Sequence, residues 1–213
     1  MRIYFDGCSW TRGEELSHPE QERFSKLICD EFEASEMNYS INGGSNDRIV
    51  RNLLVENNIE DYDLAVIQMT FPVRTEYYND QLTREYFDKQ WTNGDWVSVN
   101  PKSNFNKWLH GENGDITRLR EKFKYHADFW KYWYTDVTNQ KYFDTQEKIH
   151  YHTIRNSCKI PLVLVSINRW TKLPFDMQLN DGTRNMRHRN GHPDKHLHRF
   201  IADKIIGMAK GLL

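Results

Sequence analysis

Apolar residues follow two different spacings along the chain, and the change from one to the other predicts its strands and helices. Apolar, aromatic or β-branched runs predict buried strands at 3–5, 37–41, 63–70 and 162–167. Apolar positions three or four residues apart predict amphipathic helices at about 19–35, after the turn at 42–47, at 116–137, at 140–158 and from Pro193 onward. Strands and helices that alternate in this way are typical of a parallel sheet. The sequence therefore predicts a three-layer α/β/α sandwich with a mostly parallel, flavodoxin-like sheet.

The helical periodicity also predicts which side chains face the core. In the helix after the 42–47 turn and in the last helix, the predicted inward positions are Ile49, Val50, Leu53, Leu54, Leu197, Ile201, Ile205 and Met208. In the 140–158 helix, His150 falls on the same stripe as Phe143 and Ile154, so it is predicted to face the core rather than to bind a ligand. Residues 168–191 are polar and are predicted as a loop.

A segment rich in aromatic residues, Asn and Gly interrupts the alternation at about 71–115. Within it, Asn93-Gly94 favours a two-residue turn and predicts a hairpin around 92–95. An insertion beside the carboxyl edge of a parallel sheet commonly forms a lid or a substrate wall. The alternative is an aromatic mini-core that only holds the insertion together.

Length and composition limit the function classes. A chain of 213 residues fits one domain, 1–213, and its net charge of −1 gives no global attraction to nucleic acid or to acidic membranes. Three widely spaced cysteines indicate a reducing compartment rather than a disulfide framework. Because no signal-peptide core or membrane-length apolar run is present, we expect a soluble cytoplasmic protein. No cofactor is expected, and the sequence does not indicate an oligomeric state.

Four short polar segments are predicted to meet at one edge of the sheet, where ligands of open α/β folds bind. Three follow strands and one precedes the last helix: Gly7-Cys8-Ser9, Asn42-Gly43-Gly44, Gln68-Met69-Thr70 and Asn190-Gly191-His192-Pro193. A serine, a histidine and several hydrogen-bond donors are the groups that acyl transfer requires. On spacing alone, Ser9 also fits a simple helix cap, and Cys8 is an alternative nucleophile.

The same segments resemble the four sequence blocks of SGNH (GDSL-type) hydrolases, and in particular of phage and marine-bacterial members. The resemblance rests on GCSWT, NGGSND, QMT and NGHPDKHLH, in that order, and spans about residues 3–205. It implies that Ser9 is the nucleophile and His192 the base, with the backbone N–H groups of Ser9 and Gly43 facing the oxyanion. Thr70 stands where the family usually has asparagine. Further candidates for contacts to the oxyanion or substrate are Gln68 and Arg74.

Three departures from the family pattern bear on activity. Cys8 replaces the aspartate of Gly-Asp-Ser, and Thr70 exchanges an amide donor for a shorter hydroxyl. Asn190 stands near the position of the acid that should precede the histidine. An amide can fix the imidazole tautomer but does not stabilise imidazolium as a carboxylate does. Asp181 or Asp194 is a possible substitute for the missing acid.

Two main hypotheses follow. The first is a serine esterase or acylhydrolase acting on a small or carbohydrate-linked ester, with glycan O-deacetylation as the preferred reaction. The second is a catalytically degenerate SGNH-fold protein with a binding or phage-associated structural role. A weaker third is binding of an anionic polymer by the basic segment 184–199. Histidines in that segment match no common zinc spacing, so no metal site is predicted.

Overall fold

The computed structural model describes residues 1–78, 92–93, 96–99, 128–179 and 191–213. Its described strands are β1 (Arg2–Asp6), β2 (Ser35–Asn38), β3 (Leu64–Met69), β4 (Thr75–Tyr78), β5 (Thr92–Asn93), β6 (Trp96–Val99), β7 (Leu162–Ser166) and β8 (Met177–Gln178). Its described α-helices with both ends defined are α1 (Ser9–Arg12), α2 (Pro19–Glu22), α3 (Phe24–Glu31), α4 (Asn46–Arg51), α5 (Gln140–Ser157) and α6 (Lys195–Ala209).

Five of these strands form one parallel sheet in the order β2-β1-β3-β7-β8. The central strand β3 is buried along its whole length, as expected of a strand covered on both faces. This order is that of a flavodoxin-like sheet, so the predicted α/β fold class is confirmed. The carboxyl ends of β1 and β3 lie side by side, because Asp6 pairs with Ile67. The segments that follow these two strands therefore begin at the same edge.

Helices cover both faces of the sheet. Along β1, Ile3 and Phe5 face one core together with α3 and α6, while Tyr4 faces the other core with α4 and α5. This split follows from the two-residue period of a strand, which points successive side chains to opposite faces. The inward residues of α6, Leu197, Ile201 and Ile205, are at most 1% exposed. Each such side chain contributes about 1.5–3 kcal/mol to folding.

Several predicted boundaries are wrong. The helix predicted at 19–35 is two helices, since Arg23 is extended between α2 and α3 and pairs with Glu36 on β2. Strand β2 begins two residues earlier than predicted because its pairing with β1 starts at Ser35. Leu54 is 50% exposed rather than inward, because a π-helical turn (Asn52–Glu56) replaces the regular spacing after α4. The predicted 168–191 loop contains β8, which adds a strand to the sheet.

The predicted insertion contains three short strands among its described residues. Strands β4, β6 and β5 form a small antiparallel sheet, and the β5–β6 pairing confirms the predicted hairpin, while residues 94–95 lie outside the described residues. Of the helix predicted at 116–137, residues 128–132 are helical and Trp133–Val137 is a π-helical turn. Residues 71–74 precede β4, and the rest of both segments lies outside the described residues. In the part of the chain that is described, no helix is both long and apolar enough to cross a membrane.

Candidate active site

The turn after β1 presents the serine hydroxyl. Cys8 is the extended N-cap of α1 and Ser9 is its first residue, so the chain turns sharply from strand to helix at this point. Ser9 is 6% exposed, and its Oγ lies 3.0 Å from Nε2 of His192, 183 residues away in the sequence. The structure therefore brings together the two side chains that the sequence predicts as nucleophile and base.

His192 is positioned by the start of α6. Gly191 before it has φ of 91°, a left-handed conformation that glycine adopts without steric cost, and Pro193 after it is buried. Asp194 is the N-cap of α6, where its carboxylate accepts a hydrogen bond from the backbone N–H of Leu197 at 2.9 Å. The Asp194 carboxylate therefore caps the N-terminus of α6. Asn190 and Asp181, the other residues considered for the acidic position, lie outside the described residues.

A carboxylate outside the four predicted segments lies beside His192. Oε1 of Glu15 is 3.4 Å from Nδ1 of His192, on the side of the ring opposite Ser9. Glu15 reaches this position because α1 ends at Gly13, whose φ is 82°, and the chain reverses, with a second left-handed residue at Glu15 itself, φ 70°. The sequence signal at this point is the Gly13-Glu14-Glu15-Leu16 segment that follows the serine turn.

The buried side chain of Asn46, at the start of α4, connects this helix to Thr70 at the end of β3. The backbone N–H of Thr70 donates to Oδ1 of Asn46 at 2.8 Å, and Nδ2 of Asn46 donates to the Thr70 carbonyl at 3.1 Å. Nη1 of Arg74 donates to Oγ1 of Thr70 at 2.8 Å and to the Gly44 carbonyl at 3.4 Å. Thr70 is fully buried, whereas Arg74 is partly exposed. Arg74 therefore places a positive charge beside Thr70 at the carboxyl end of β3.

Gln68 and Cys8 lie beneath the serine rather than beside it. The hydroxyl of Thr11 and the thiol of Cys8 donate to Oε1 of Gln68 at 3.0 and 3.4 Å, and Nε2 of Gln68 donates to the Met69 carbonyl. Burial alone raises the pKa of the Cys8 thiol, but Arg74, the Trp10 backbone N–H and Gln68 outweigh it and lower the pKa. The thiol is fully buried, so the surface of this turn is formed by Ser9 and not by Cys8.

Other candidate ligands lie elsewhere. His150 is buried, as predicted, and its Nε2 lies 2.8 Å from Oδ1 of Asp47. Nδ1 of the buried His198 accepts a hydrogen bond from the Phe24 backbone N–H. Among the residues that the structure describes, no group of three or more His, Cys, Asp or Glu side chains is arranged to hold a metal ion. His188 and most of the basic residues of 184–199 lie outside the described ranges.

The turn that carries Ser9 and the turn at 42–44 approach each other at Gly44. A Cβ at this position would lie 2.8 Å from the Gly7 carbonyl oxygen, a backbone atom that cannot move without shifting the serine turn.

We expect Gly44→Ala to lower the free energy of unfolding by about 1–3 kcal/mol, measured by urea denaturation. Gly207→Ala is the control, because a Cβ there meets nothing within 4 Å. It should raise the free energy of unfolding by about 0.5–1 kcal/mol, as alanine does in a helix. Equal effects of the two substitutions would contradict the close approach.

No protein-family model matches the chain, and no curated protein matches it. Among solved structures, a two-domain esterase (CEX) active on acetylated mannans is similar, with a TM-score of 0.50 and 12% identity over 100% of this chain. This chain spans about half of that esterase, 49% of its length. The psychrotrophic esterase EstA from Pseudoalteromonas sp. has a TM-score of 0.49 and 13% identity, with 99% of this chain and 97% of EstA covered. A lipolytic protein of the G-D-S-L family from Desulfitobacterium hafniense DCB-2 has a TM-score of 0.41 and 9% identity, with 96% and 97% covered.

At these identities the likeness concerns the fold, and it agrees with the three-layer, mostly parallel architecture. The narrower resemblance to phage and marine-bacterial proteins stays a prediction from the sequence.

Proposed function

We propose that this protein is a serine esterase of the SGNH type that hydrolyses a small or carbohydrate-linked ester. The observation that carries the proposal is the 3.0 Å distance between Ser9 Oγ and His192 Nε2. A nucleophile and a base within hydrogen-bond distance, on the carboxyl edge of a parallel sheet, are the minimum that acyl transfer requires. The second hypothesis, a degenerate fold used for binding, does not require this contact.

The reaction follows from the two side chains. Ser9 Oγ attacks the ester carbonyl carbon while Nε2 of His192 takes the hydroxyl proton, giving a tetrahedral intermediate with a negative oxygen. When the intermediate collapses, the bond to the leaving alcohol breaks and His192 returns the proton to the alcohol oxygen. A water molecule then attacks the acyl-Ser9 carbonyl while it gives its proton to His192, which forms a second tetrahedral intermediate. When this intermediate collapses, the bond to Ser9 Oγ breaks and His192 returns the proton to that oxygen, which releases the carboxylic acid and restores Ser9.

Three donors are proposed for the negative oxygen. Two are the backbone N–H groups of Ser9 and Gly43, on the segments that meet where Gly44 approaches the Gly7 carbonyl. The third is the guanidinium of Arg74, which Thr70 Oγ1 holds at 2.8 Å. We propose Arg74 rather than Thr70 because the threonine is fully buried, whereas the Arg74 side chain is partly exposed. Each donor of this kind contributes about 3 kcal/mol to lowering the barrier.

Acetyl esters on a glycan are the proposed substrates, because the esterase of similar fold with a TM-score of 0.50 is active on acetylated mannans. We expect the purified protein to release acetate from p-nitrophenyl acetate and from acetylated mannan, while p-nitrophenyl palmitate is a poor substrate. Acetate release is measured directly, and protein unfolded in urea is the control. Hydrolysis of the palmitate ester alone would contradict the substrate class. No hydrolysis of any of the three would favour the binding protein.

A further inference from the structure

We propose that Glu15 is the positioning residue of His192, and that it replaces the acid missing from the histidine block. This inference deepens the proposed function and rests on it. The acid would then come from the block that carries the nucleophile, six residues after Ser9, instead of from the residues that precede the histidine. With Glu15 in this role, the site has an acidic residue although Asn190 stands near the position where the resemblance places the acid.

The geometry supports this role. The two ring nitrogens of His192 face different groups: Nε2 lies 3.0 Å from Ser9 Oγ, and Nδ1 lies 3.4 Å from Glu15 Oε1. To accept the proton of Ser9, Nε2 must carry a lone pair, so the ring proton must reside on Nδ1. A carboxylate facing Nδ1 favours that tautomer and stabilises the imidazolium that forms when Ser9 attacks. Among the described residues, Asp194 is the acidic residue nearest to His192 in the sequence, and its carboxylate accepts a hydrogen bond from the Leu197 backbone N–H at the start of α6.

The backbone at Glu15 has an uncommon conformation. Its φ of 70° lies in the left-handed region, where a residue with a side chain is strained and glycine is not. Local conformation therefore does not favour glutamate at this position. Strained residues of this kind persist where the surrounding structure holds them, and they cluster at functional sites. The side chain is also only partly exposed, 30% against 25% for His192, which limits screening of the pair by water.

The neighbouring residue offers a matched control. Glu14 is an acidic residue in the same reversal of the chain, and its backbone N–H is held by the Ser9 carbonyl at 2.9 Å. If any negative charge near the site were sufficient, removing Glu14 or Glu15 would have the same effect. If Glu15 acts through Nδ1 of His192, only the loss of Glu15 should matter.

The kinetic test compares Glu15→Gln, Glu15→Gly and Glu14→Gln for hydrolysis of p-nitrophenyl acetate. We expect Glu15→Gln to lower kcat about 100-fold with KM within about twofold of the original. This is less than the roughly 10⁴-fold loss known for a fully buried triad acid, because Glu15 is partly exposed. Glu14→Gln should keep kcat within about threefold. Glu15→Gly, which relieves the left-handed backbone, should lose at least as much kcat as Glu15→Gln while melting no lower than the unmodified protein.

A spectroscopic test separates this inference from the proposed function. In ¹⁵N-labelled protein at a pH where the ring is neutral, long-range ¹H–¹⁵N spectra should show His192 with its proton on Nδ1. Glu15→Gly should shift a measurable part of the population to the Nε2–H tautomer. An unchanged tautomer, or equal kinetic effects of Glu14→Gln and Glu15→Gln, would overturn the role of Glu15. A protein that hydrolyses no ester but shows the tautomer shift would overturn the esterase and leave the Glu15–His192 contact established.

Discussion

Ser9→Ala should abolish ester hydrolysis, with a loss in kcat on the order of 10⁴-fold or more. The hydroxyl of Ser9 is the group that forms the covalent intermediate, and no other side chain in the described site can take its place, because the adjacent Cys8 thiol is fully buried against Gln68. The residual rate should come only from hydrogen bonds to the oxyanion and from substrate binding. The measurement is kcat and KM on p-nitrophenyl acetate with protein of verified fold.

Two further variants make this result specific. Ser17→Ala, at an exposed serine eight residues away, should leave kcat unchanged. His192→Ala should lose nearly as much as Ser9→Ala, and the double variant should lose no more than the worse single variant, because residues that act as a unit are not additive. If the two losses multiply, or if Ser9→Ala keeps more than a tenth of the original kcat, Ser9 and His192 do not act together as proposed.

Asp6→Asn should produce the largest loss of stability that the structure predicts, about 3–5 kcal/mol in the free energy of unfolding. Asp6 is fully buried, and its Oδ1 accepts hydrogen bonds from Nη1 of Arg48 and from the Gly7 backbone N–H, both at 2.7 Å. Its Oδ2 accepts from Asn52 Nδ2 at 2.9 Å and from the Tyr4 hydroxyl at 3.2 Å. An amide removes the negative charge and leaves the Arg48 guanidinium, 1% exposed, as an uncompensated buried cation.

Thermal and urea unfolding provide the measurement. For a chain of this size the loss corresponds to a fall in Tm on the order of 10 °C. The control is Asp203→Asn, which breaks an exposed pair with Arg199 at 3.7 Å on α6 and should leave Tm within error of the unmodified protein. Because Asp6 also holds Gly7, directly before the serine turn, we expect Asp6→Asn to lower kcat even at temperatures where it is folded. A variant as stable as the unmodified protein would contradict the account of this buried pair.

Individual strands and helices were predictable from the sequence where one of their faces packs against the core. The run at 63–70 and the stripe of α6 predict their elements because burial requires apolar side chains at fixed periods. The break at Arg23 was not predictable, because it depends on an ion pair with Glu36, thirteen residues away on another element. The short strand β8 was missed for a similar reason, since two residues carry no periodicity and only pairing with β7 makes them a strand.

The candidate site was predictable to the extent that short motifs follow strands. Ser9 and His192 were both named from their blocks, and the structure brings them together. Glu15 was missed because its role depends on the chain reversal at Gly13 and on two left-handed residues, neither of which follows from residue types alone. For Gln68, the sequence could not distinguish an amide that faces the substrate from one that supports the turn below it.

The most direct test of the central claim is the site and rate of modification by a fluorophosphonate, which reacts with an activated serine hydroxyl. Peptide mass spectrometry of the treated protein should find one adduct, on the peptide that contains Ser9, and His192→Ala should slow its formation by at least about 100-fold. No adduct, an adduct on another residue, or an adduct that forms equally fast without His192 would contradict the claim that Ser9 and His192 form a nucleophile and its base.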